Sequence, residues 1–222
     1  MTYVEHLNQI YQLSRGSDDV HVWNVSESVG DDGVVRHAIL PDEILTIPWN
    51  GIDTSDRWQG LAHFSGGGNG ENALIASKGR DQLFIMVPSI DLHLLRIVDV
   101  ADFFGNSISG LKELELVDDH LDEEMKAQLT GYVFANEAGT DNLHMIDLNL
   151  GIATRTWTLG MLRGEVEDHF EDTGREDDFD LDDHYLNGIA YDKHRDTFLL
   201  TGSEWGAIFE LRLDYKRILG YY

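Results

Sequence analysis

An apolar strand, a short polar break and a second alternating strand recur four times along this chain. The copies lie near residues 10–25, 74–87, 133–148 and 198–213, so successive copies start about 60 residues apart. Alternation with a period of two residues, interrupted by glycine or aspartate, is typical of β-hairpins. A fixed period of this kind indicates a repeated supersecondary unit, and it restricts the chain to repeat architectures.

Further short strands flank the hairpins in a constant order. One precedes each of the last three hairpins, and another follows some of them; the ranges are 58–64, 111–117 and 186–192, and then 33–40, 92–100 and 154–162. Three to four antiparallel strands per unit make a β-propeller blade. An irregular β-sandwich also uses short strands, but the constant order favours the propeller.

We therefore predict an all-β fold in which residues 1–222 form a single propeller domain. The spacing gives about four blades. The first blade is predicted to be incomplete, because its leading strand would be MTYVEHL at residues 1–7. Propellers normally contain at least four blades arranged as a ring.

Two inserts interrupt the repeat. DHLDEEMKAQL, at residues 119–129, is compatible with a helix because Leu121, Met125 and Leu129 share one face. Residues 165–184 contain one arginine among many carboxylates, and we predict a mobile, solvated acidic loop there. Carboxylates are calcium ligands, but DDFDLDD lacks the glycine and glutamate of an EF-hand loop. No metal site is predicted, and cation binding by the loop stays an open question.

Charge and composition exclude several functional classes. Asp and Glu number 41 against 16 Lys and Arg, a net charge of −25, which repels phosphate backbones and anionic lipids. Neither nucleic acid nor a membrane is therefore expected as a partner. The chain has no cysteine, which excludes disulfides and thiol catalysis. No signal peptide is visible at the start, so a cytoplasmic location is the default expectation.

Three stretches in the second half share the motifs of a known family. They are GLKELELVD (110–118), YVFANEAGTDNLHMID (132–147), and LNGIAYD followed by TGSEWGAIFELRL (186–192 and 201–213). In this order they resemble the last blades of the plant- and bacterial-type glutaminyl cyclases, with G-L-N-E-L-E-Y-V-D as the counterpart of the first. WQGLAHF and IYQLSRG resemble earlier blades more weakly. The resemblance implies a five-bladed propeller that converts the N-terminal glutamine of peptides to pyroglutamate, releasing ammonia without metal or cofactor.

That reaction requires a group that takes the amine proton and delivers a proton to departing ammonia, usually a carboxylate of raised pKa. Among the positions that match the family, Glu113 is the candidate for this role. The candidate substrate-binding residues are Asn136, Asn187, Trp205 and Trp58. Structural roles are also open, since asparagines bond backbone between blades and tryptophans pack blade faces. Lys112 and Glu113 are neighbours in a strand, so only one is expected to line the channel.

Other positions depart from the family's pattern. Lys112, Ala138 and Ser203 stand where the family has asparagine, tryptophan and lysine. Gln59 takes the place of a tryptophan, with Trp58 one residue away, and Arg15 takes the place of an aromatic residue. The F-x-E-G stretch that carries the family's acid/base glutamate is absent from this sequence. Two hypotheses follow: a cyclotransferase acting on peptides with N-terminal glutamine, or a non-catalytic binding protein built on that scaffold. The sequence does not constrain the oligomeric state.

Overall fold

A computed structural model describes residues 1–4, 7–14, 17, 19–30, 32, 34–46, 58–65, 72–88, 92–117, 131–180 and 182–216. This part of the chain is mostly β. Its strands are Thr2–Val4 (β1), Gln9–Leu13 (β2), Asp19–Val29 (β3), Val35–Thr46 (β4), Leu61–Ser65 (β5), Asn72–Ser77 (β6), Gln82–Met86 (β7), Leu94–Asp99 (β8), Leu111–Glu115 (β9), Tyr132–Glu137 (β10), Asn142–Asp147 (β11), Ile152–Thr158 (β12), Leu186–Asp192 (β13), Thr197–Gly202 (β14) and Phe209–Leu211 (β15).

The strands form four antiparallel sheets, each a meander in chain order. The first three sheets contain β1 to β4, β5 to β8 and β9 to β12, and the fourth contains β13 to β15. The first strands of neighbouring sheets contact one another, β1 with β5, β5 with β9 and β9 with β13. This is a four-bladed propeller arrangement, which confirms the predicted fold class, and we refer to the sheets as blades 1 to 4. The first blade, which was expected to be incomplete, contains four strands because Thr2–Val4 supplies its leading strand, and the blade with three strands is the fourth.

The hydrophobic core lies between the blades and forms three clusters, one at each junction of consecutive blades. Central strands contribute to two clusters at once. In β10, Val133 and Ala135 pack towards blade 2, whereas Phe134 packs towards blade 4. Both faces of such a strand are buried, which explains the run of four consecutive apolar residues in β10.

Blades 2 and 3 approach each other most closely where β5 begins. A Cβ atom at Gly60 would lie 2.0 Å from the carbonyl oxygen of Lys112, so only glycine fits there. The Gly60 N–H donates to the Ser77 hydroxyl at 2.9 Å, and that hydroxyl donates to the Lys112 carbonyl. These contacts fix the position of Lys112 relative to blade 2.

The acidic insert contains a helix, so the prediction of a loop is wrong for residues 165–172; a short 3₁₀-helix at Glu176–Asp178 follows. Helix α1 spans Gly160–Asp172 and buries Leu162, Val166 and Phe170 in the cluster between blades 3 and 4. These residues recur every four positions, which places them on one helical face, while the carboxylates lie on the other faces. The strand predicted over 154–162 is correspondingly shorter and ends at Thr158.

A buried ion pair attaches this helix to blade 3. Arg163 contacts Asp141 at 2.8 Å, and Asp141 lies in the turn between β10 and β11 with its side chain almost fully buried. The Leu159 N–H donates to the Asp141 carbonyl at 2.8 Å, which sets the backbone just before the helix. The helix is thus held by charge at its start and by apolar contacts along its length.

The helix predicted at 119–129 lies outside the described residues. Within the described ranges, no helix is both long enough and apolar enough to cross a membrane.

Candidate functional site

A cavity of about 590 Å³ lies where all four blades converge. Each blade contributes residues from the ends of its inner strands. The lining residues are Leu13, Ser14, Trp58, Gln59, Lys112, Glu113, Tyr185, Asn187 and Ser203. The cavity therefore collects positions that are far apart in sequence, as expected for a site at the hub of a propeller.

A second cavity of about 350 Å³ continues from the first along the hub. It is lined by the first strand of every blade, through residues that include Thr2, Leu61, Leu114 and Ile189. Glu113 borders both cavities. The two cavities thus share Glu113 as a lining residue; we refer to them together as the central channel, and to the first cavity as its mouth.

A bulge in β9 places Lys112 and Glu113 together at the mouth. Leu114 pairs with Ala135 and Leu111 pairs with Glu137, so Lys112 and Glu113 both lie opposite the single residue between those partners. A bulge of this kind interrupts the alternation of side chains along a strand. The prediction that only one of these two residues lines the channel is therefore wrong, because both line the same cavity.

The Glu113 carboxyl is held in an environment that disfavours its charge. Burial raises the pKa of this carboxyl above its ordinary value, and the positive charges of the Met1 amino group and, to a smaller extent, of Lys112 only partly oppose the shift. No described residue donates a hydrogen bond to the carboxylate oxygens. A carboxyl of raised pKa at a cavity wall is suited to accept and return a proton.

Lys112 is fixed against an aromatic residue of blade 4. Its ammonium donates to the Tyr185 hydroxyl at 2.8 Å and lies 4.7 Å from the centroid of the same ring. The contact combines a hydrogen bond with a cation–π interaction. It leaves the remaining ammonium protons and the phenolic O–H as donors at the cavity wall.

Trp58 and Asn187, two of the predicted substrate-binding residues, also line this cavity. Trp58 is 4% exposed and packs edge-on against Phe84 at 5.2 Å between ring centroids. The Lys78 ammonium lies 4.7 Å from the Trp58 ring. The indole is therefore a rigid aromatic wall, whereas Asn187 is half-buried at the start of β13.

Asn136 is placed in the junction of blades 3 and 4, behind the cavity. Its side-chain oxygen accepts from the Glu113 N–H at 2.8 Å, and its amide donates to the Leu186 carbonyl at 2.7 Å. The side chain is completely buried. Asn136 thus bonds backbone between blades and positions Glu113 through its main chain.

Trp205 lies in the same junction and does not border the cavity. It is 1% exposed and packs over Gly202, where a Cβ atom would lie 2.0 Å from the indole ring. Its ring also meets Phe209 edge-on at 5.7 Å. Its indole N–H finds no acceptor among the described residues.

Comparisons with known proteins decide the family. The family model described as glutamine cyclotransferase matches residues 60–213, more than two thirds of the chain. The chain belongs to the glutamine cyclotransferase family. Among curated proteins, none matches this chain.

One solved structure supports the propeller fold of this chain. The glutaminyl cyclase of Myxococcus xanthus superposes with a TM-score of 0.65 at 21% identity, covering 93% of this chain and 69% of that one. Sqt1 of Chaetomium thermophilum gives a TM-score of 0.44 at 13% identity, covering 90% and 42% of the two chains.

The positions at which this chain departs from the glutaminyl cyclase pattern do not all lie at the cavity. Lys112 and Ser203 line the cavity, and the Ser203 N–H donates to the Tyr185 carbonyl at 2.9 Å. Ala138 lies outside the lining, where its N–H donates to the Gly110 carbonyl at 2.8 Å. Arg15 lies outside the described residues. Gln59, which takes the place of a tryptophan, lines the cavity as well, so three of the substitutions change the chemistry of the cavity itself.

Tyr185 is a lining residue that the sequence analysis missed. It immediately precedes the LNG segment that opens β13, at the end of the acidic insert. Its position directly before a family motif was the available signal. Apart from the segments that the structure leaves undescribed, no cluster of three or more His, Asp or Glu side chains is arranged to hold a metal ion.

Proposed function

We propose that this chain is a glutaminyl-peptide cyclotransferase and that the cavity binds the N-terminal glutamine of a peptide. One observation carries the proposal. A carboxyl of raised pKa, that of Glu113, lies without a hydrogen-bond partner among the described residues, beside the Lys112–Tyr185 donors in one cavity. The family match supplies the reaction class.

The lining residues provide a role for each step of the reaction. The Glu113 carboxylate takes a proton from the α-ammonium, and the neutral amine attacks the side-chain amide carbon to form the ring C–N bond. The oxygen of the tetrahedral intermediate gains negative charge and accepts hydrogen bonds from Lys112 and Tyr185. Glu113 then returns a proton to the amide nitrogen, the old C–N bond breaks as the carbonyl re-forms, and ammonia leaves. The new ring nitrogen, which still carries two protons, gives one of them to the Glu113 carboxylate, and the departing ammonia takes up that proton to become ammonium.

The aromatic wall supports the same pose. Trp58 is nearly fully buried and cannot turn away from the cavity. A fixed indole beside the reacting atoms excludes water and restricts the conformations of the glutamine side chain. Fewer conformations bring the amine close to the amide carbon more often, which favours closure of the pyroglutamate ring. Asn187 and Gln59 are amides at the same wall, and they match the peptide bond that follows the glutamine.

The test is ammonia release and pyroglutamate formation from a Gln-initiated peptide, followed by mass spectrometry. We expect turnover by the native chain and a loss of about a hundredfold or more in Glu113→Gln, the typical contribution of a general acid–base. Glu115→Gln, which makes the same change two residues along β9, serves as the matched control. Turnover no higher than in a heat-denatured sample would refute the proposal.

A second candidate is a binding protein that retains the scaffold without catalysis. It is supported by three departures from the family pattern: Lys112, Ala138 and Ser203 stand where the family has asparagine, tryptophan and lysine. It predicts that the peptide binds to the native chain with no ammonia release. It also predicts that the triple variant Lys112→Asn, Ala138→Trp and Ser203→Lys stays inactive, so turnover by that variant would count against it.

A further inference from the structure

We propose that Lys112 makes the cavity selective for ligands that carry a carboxylate close to their α-amine. The inference rests on the proposed function, in that the amine end of the ligand enters the cavity beside Glu113. It adds a second recognition element, because the ligand is then held by both of its charges.

The first support is the distribution of charge in the lining. Lys112 and Glu113 are the two ionic residues among the nine that line the cavity, and the others are apolar, hydroxyl or amide side chains. Although adjacent in the chain, the two make no ion pair with each other among the described contacts. The two charges influence each other through space but form no direct contact, so both can also contact a ligand that carries a cation and an anion.

The second support is the fixed position of the ammonium. A lysine ammonium has three donors, and here one of them reaches the Tyr185 hydroxyl. The ring face 4.7 Å away holds the cation without providing an oxygen that could neutralise it. Among the described residues no carboxylate accepts from Lys112, so its other donors are available to an anionic ligand group.

The third support is the contrast with the whole molecule. A net charge of −25 repels anions at a distance. Lys112 cannot reverse that field, so its effect is confined to contact with a ligand already in the cavity. A cation placed in this way does not speed capture and instead distinguishes among bound ligands.

Two ligand sources supply the required carboxylate. One is a Gln-initiated peptide whose second residue is acidic, and the other is a very short peptide whose own C-terminal carboxylate lies near the amine. Both present a carboxylate within a few bonds of the α-amine, and both would contact Lys112 while the amine lies beside Glu113.

The experiment compares three ligands by isothermal titration calorimetry and ammonia release: Gln-Ala amide, Gln-Asp amide and Gln-Ala with a free C-terminus. We expect the native chain to bind at least one carboxylate-bearing ligand about tenfold more tightly than the neutral amide, or about 1.4 kcal/mol. Lys112→Met should abolish the preference, and Lys112→Arg should retain most of it. Lys193→Met, an exposed lysine outside the cavity, is the matched control.

The outcomes separate this inference from the proposed function. Equal affinity of the native chain for all three ligands, with turnover intact, would overturn the carboxylate selectivity and leave the cyclotransferase proposal standing. A preference that survives in Lys112→Met would also overturn it. Absence of binding for every ligand would remove both. Thermal unfolding of each variant checks that Lys112→Met is folded, and binding of Gln-Ala amide by that variant supplies a second check.

Discussion

Asn136 and Glu113 are joined by one hydrogen bond, yet their side chains differ in almost every respect. Asn136 is completely buried in the junction of blades 3 and 4, and both ends of its amide are paired with backbone groups. Glu113 faces the channel with a carboxyl that no described residue pairs. The amide in the junction therefore has both of its ends paired, whereas the Glu113 carboxyl at the cavity wall has no hydrogen-bond partner among the described residues.

This difference separates residues that hold the site from residues that act in it. Buried polar groups with full hydrogen bonding fix geometry, whereas unpaired groups at a cavity wall retain their capacity to bind a ligand. Replacements in the junction should therefore lower stability, and replacements at the wall should alter binding with little loss of stability. Four substitutions test this contrast.

The largest effect is expected for Trp205→Ala. The indole fills the space above Gly202, and its removal should leave a cavity between blades that lowers the free energy of unfolding by about 3–5 kcal/mol. Urea unfolding followed by circular dichroism measures the change. Trp205→Phe should lose clearly less, since the phenyl ring still fills most of the space. A loss below about 1 kcal/mol in Trp205→Ala would argue against a role in the junction.

The second largest effect is expected for Asn136→Ala, which should lower the free energy of unfolding by about 2–3 kcal/mol. The substitution leaves the buried Glu113 N–H and Leu186 carbonyl without this partner. The same urea titration measures it. Asn149→Ala, at an exposed turn position, is the control and should change stability by less than about 0.5 kcal/mol. If both variants behaved alike, Asn136 would not join the blades.

Glu113→Gln should raise the free energy of unfolding at neutral pH, whereas the two junction variants lower it. Burial raises the pKa of Glu113 in the folded protein, so the folded state binds the proton more tightly than the unfolded state, and the unfolding free energy falls as pH rises through this window. The variant lacks this cost, and we expect it to be more stable at neutral pH by up to about 1 kcal/mol. Below the ordinary value of 4.5 the difference should vanish.

Urea titrations of the native chain and Glu113→Gln from about pH 4 to about pH 7.5 cover that window. A stability difference that stayed constant over the whole range would show that the carboxyl does not titrate differently in the folded state. A native chain more stable than the variant at neutral pH would contradict the expected sign.

The smallest change in stability is expected for Lys112→Met. The side chain is half-buried, and the loss of one hydrogen bond to Tyr185 should be offset by the apolar methionine against the ring, within about 0.5 kcal/mol. Thermal unfolding measures it. A large destabilisation would show that Lys112 stabilises the fold as the junction residues do. The contrast between junction and cavity wall would then not hold for this residue.

The repeated hairpin pattern made it possible to predict the fold from the sequence. The four hairpins and the strands that precede them lie where the alternating pattern predicted, because central strands such as β6 and β10 carry apolar residues at nearly every position and are bounded by turn residues. The helix was missed because its carboxylates dominate the composition. Its signal was present in Leu162, Val166 and Phe170, whose spacing of four is helical.

The site was less accessible, since it depends on contacts between distant segments. Trp58, Asn187 and Glu113 were named from the resemblance and lie at one cavity, but their roles stay predictions. Nothing local in the sequence indicated that Lys112 would reach Tyr185 across 73 positions. The bulge in β9 was also invisible, because pairing register depends on the partner strand.

The two buried faces of β10 have a consequence for how its alignment is encoded. In a half-exposed strand, sliding by one residue would bring polar groups inside, and that mismatch in polarity would reject the error. Here the sequence on either side of Phe134 is apolar, with Val133 and Ala135 facing the opposite cluster. Sliding would exchange a bulky ring for small side chains and would take Asn136 away from its two backbone partners, so side-chain volume and one buried amide enforce the correct alignment. Apolar substitutions in this strand should therefore be tolerated only where the new side chain has a volume that fits the facing blade, even if it is as hydrophobic as the original.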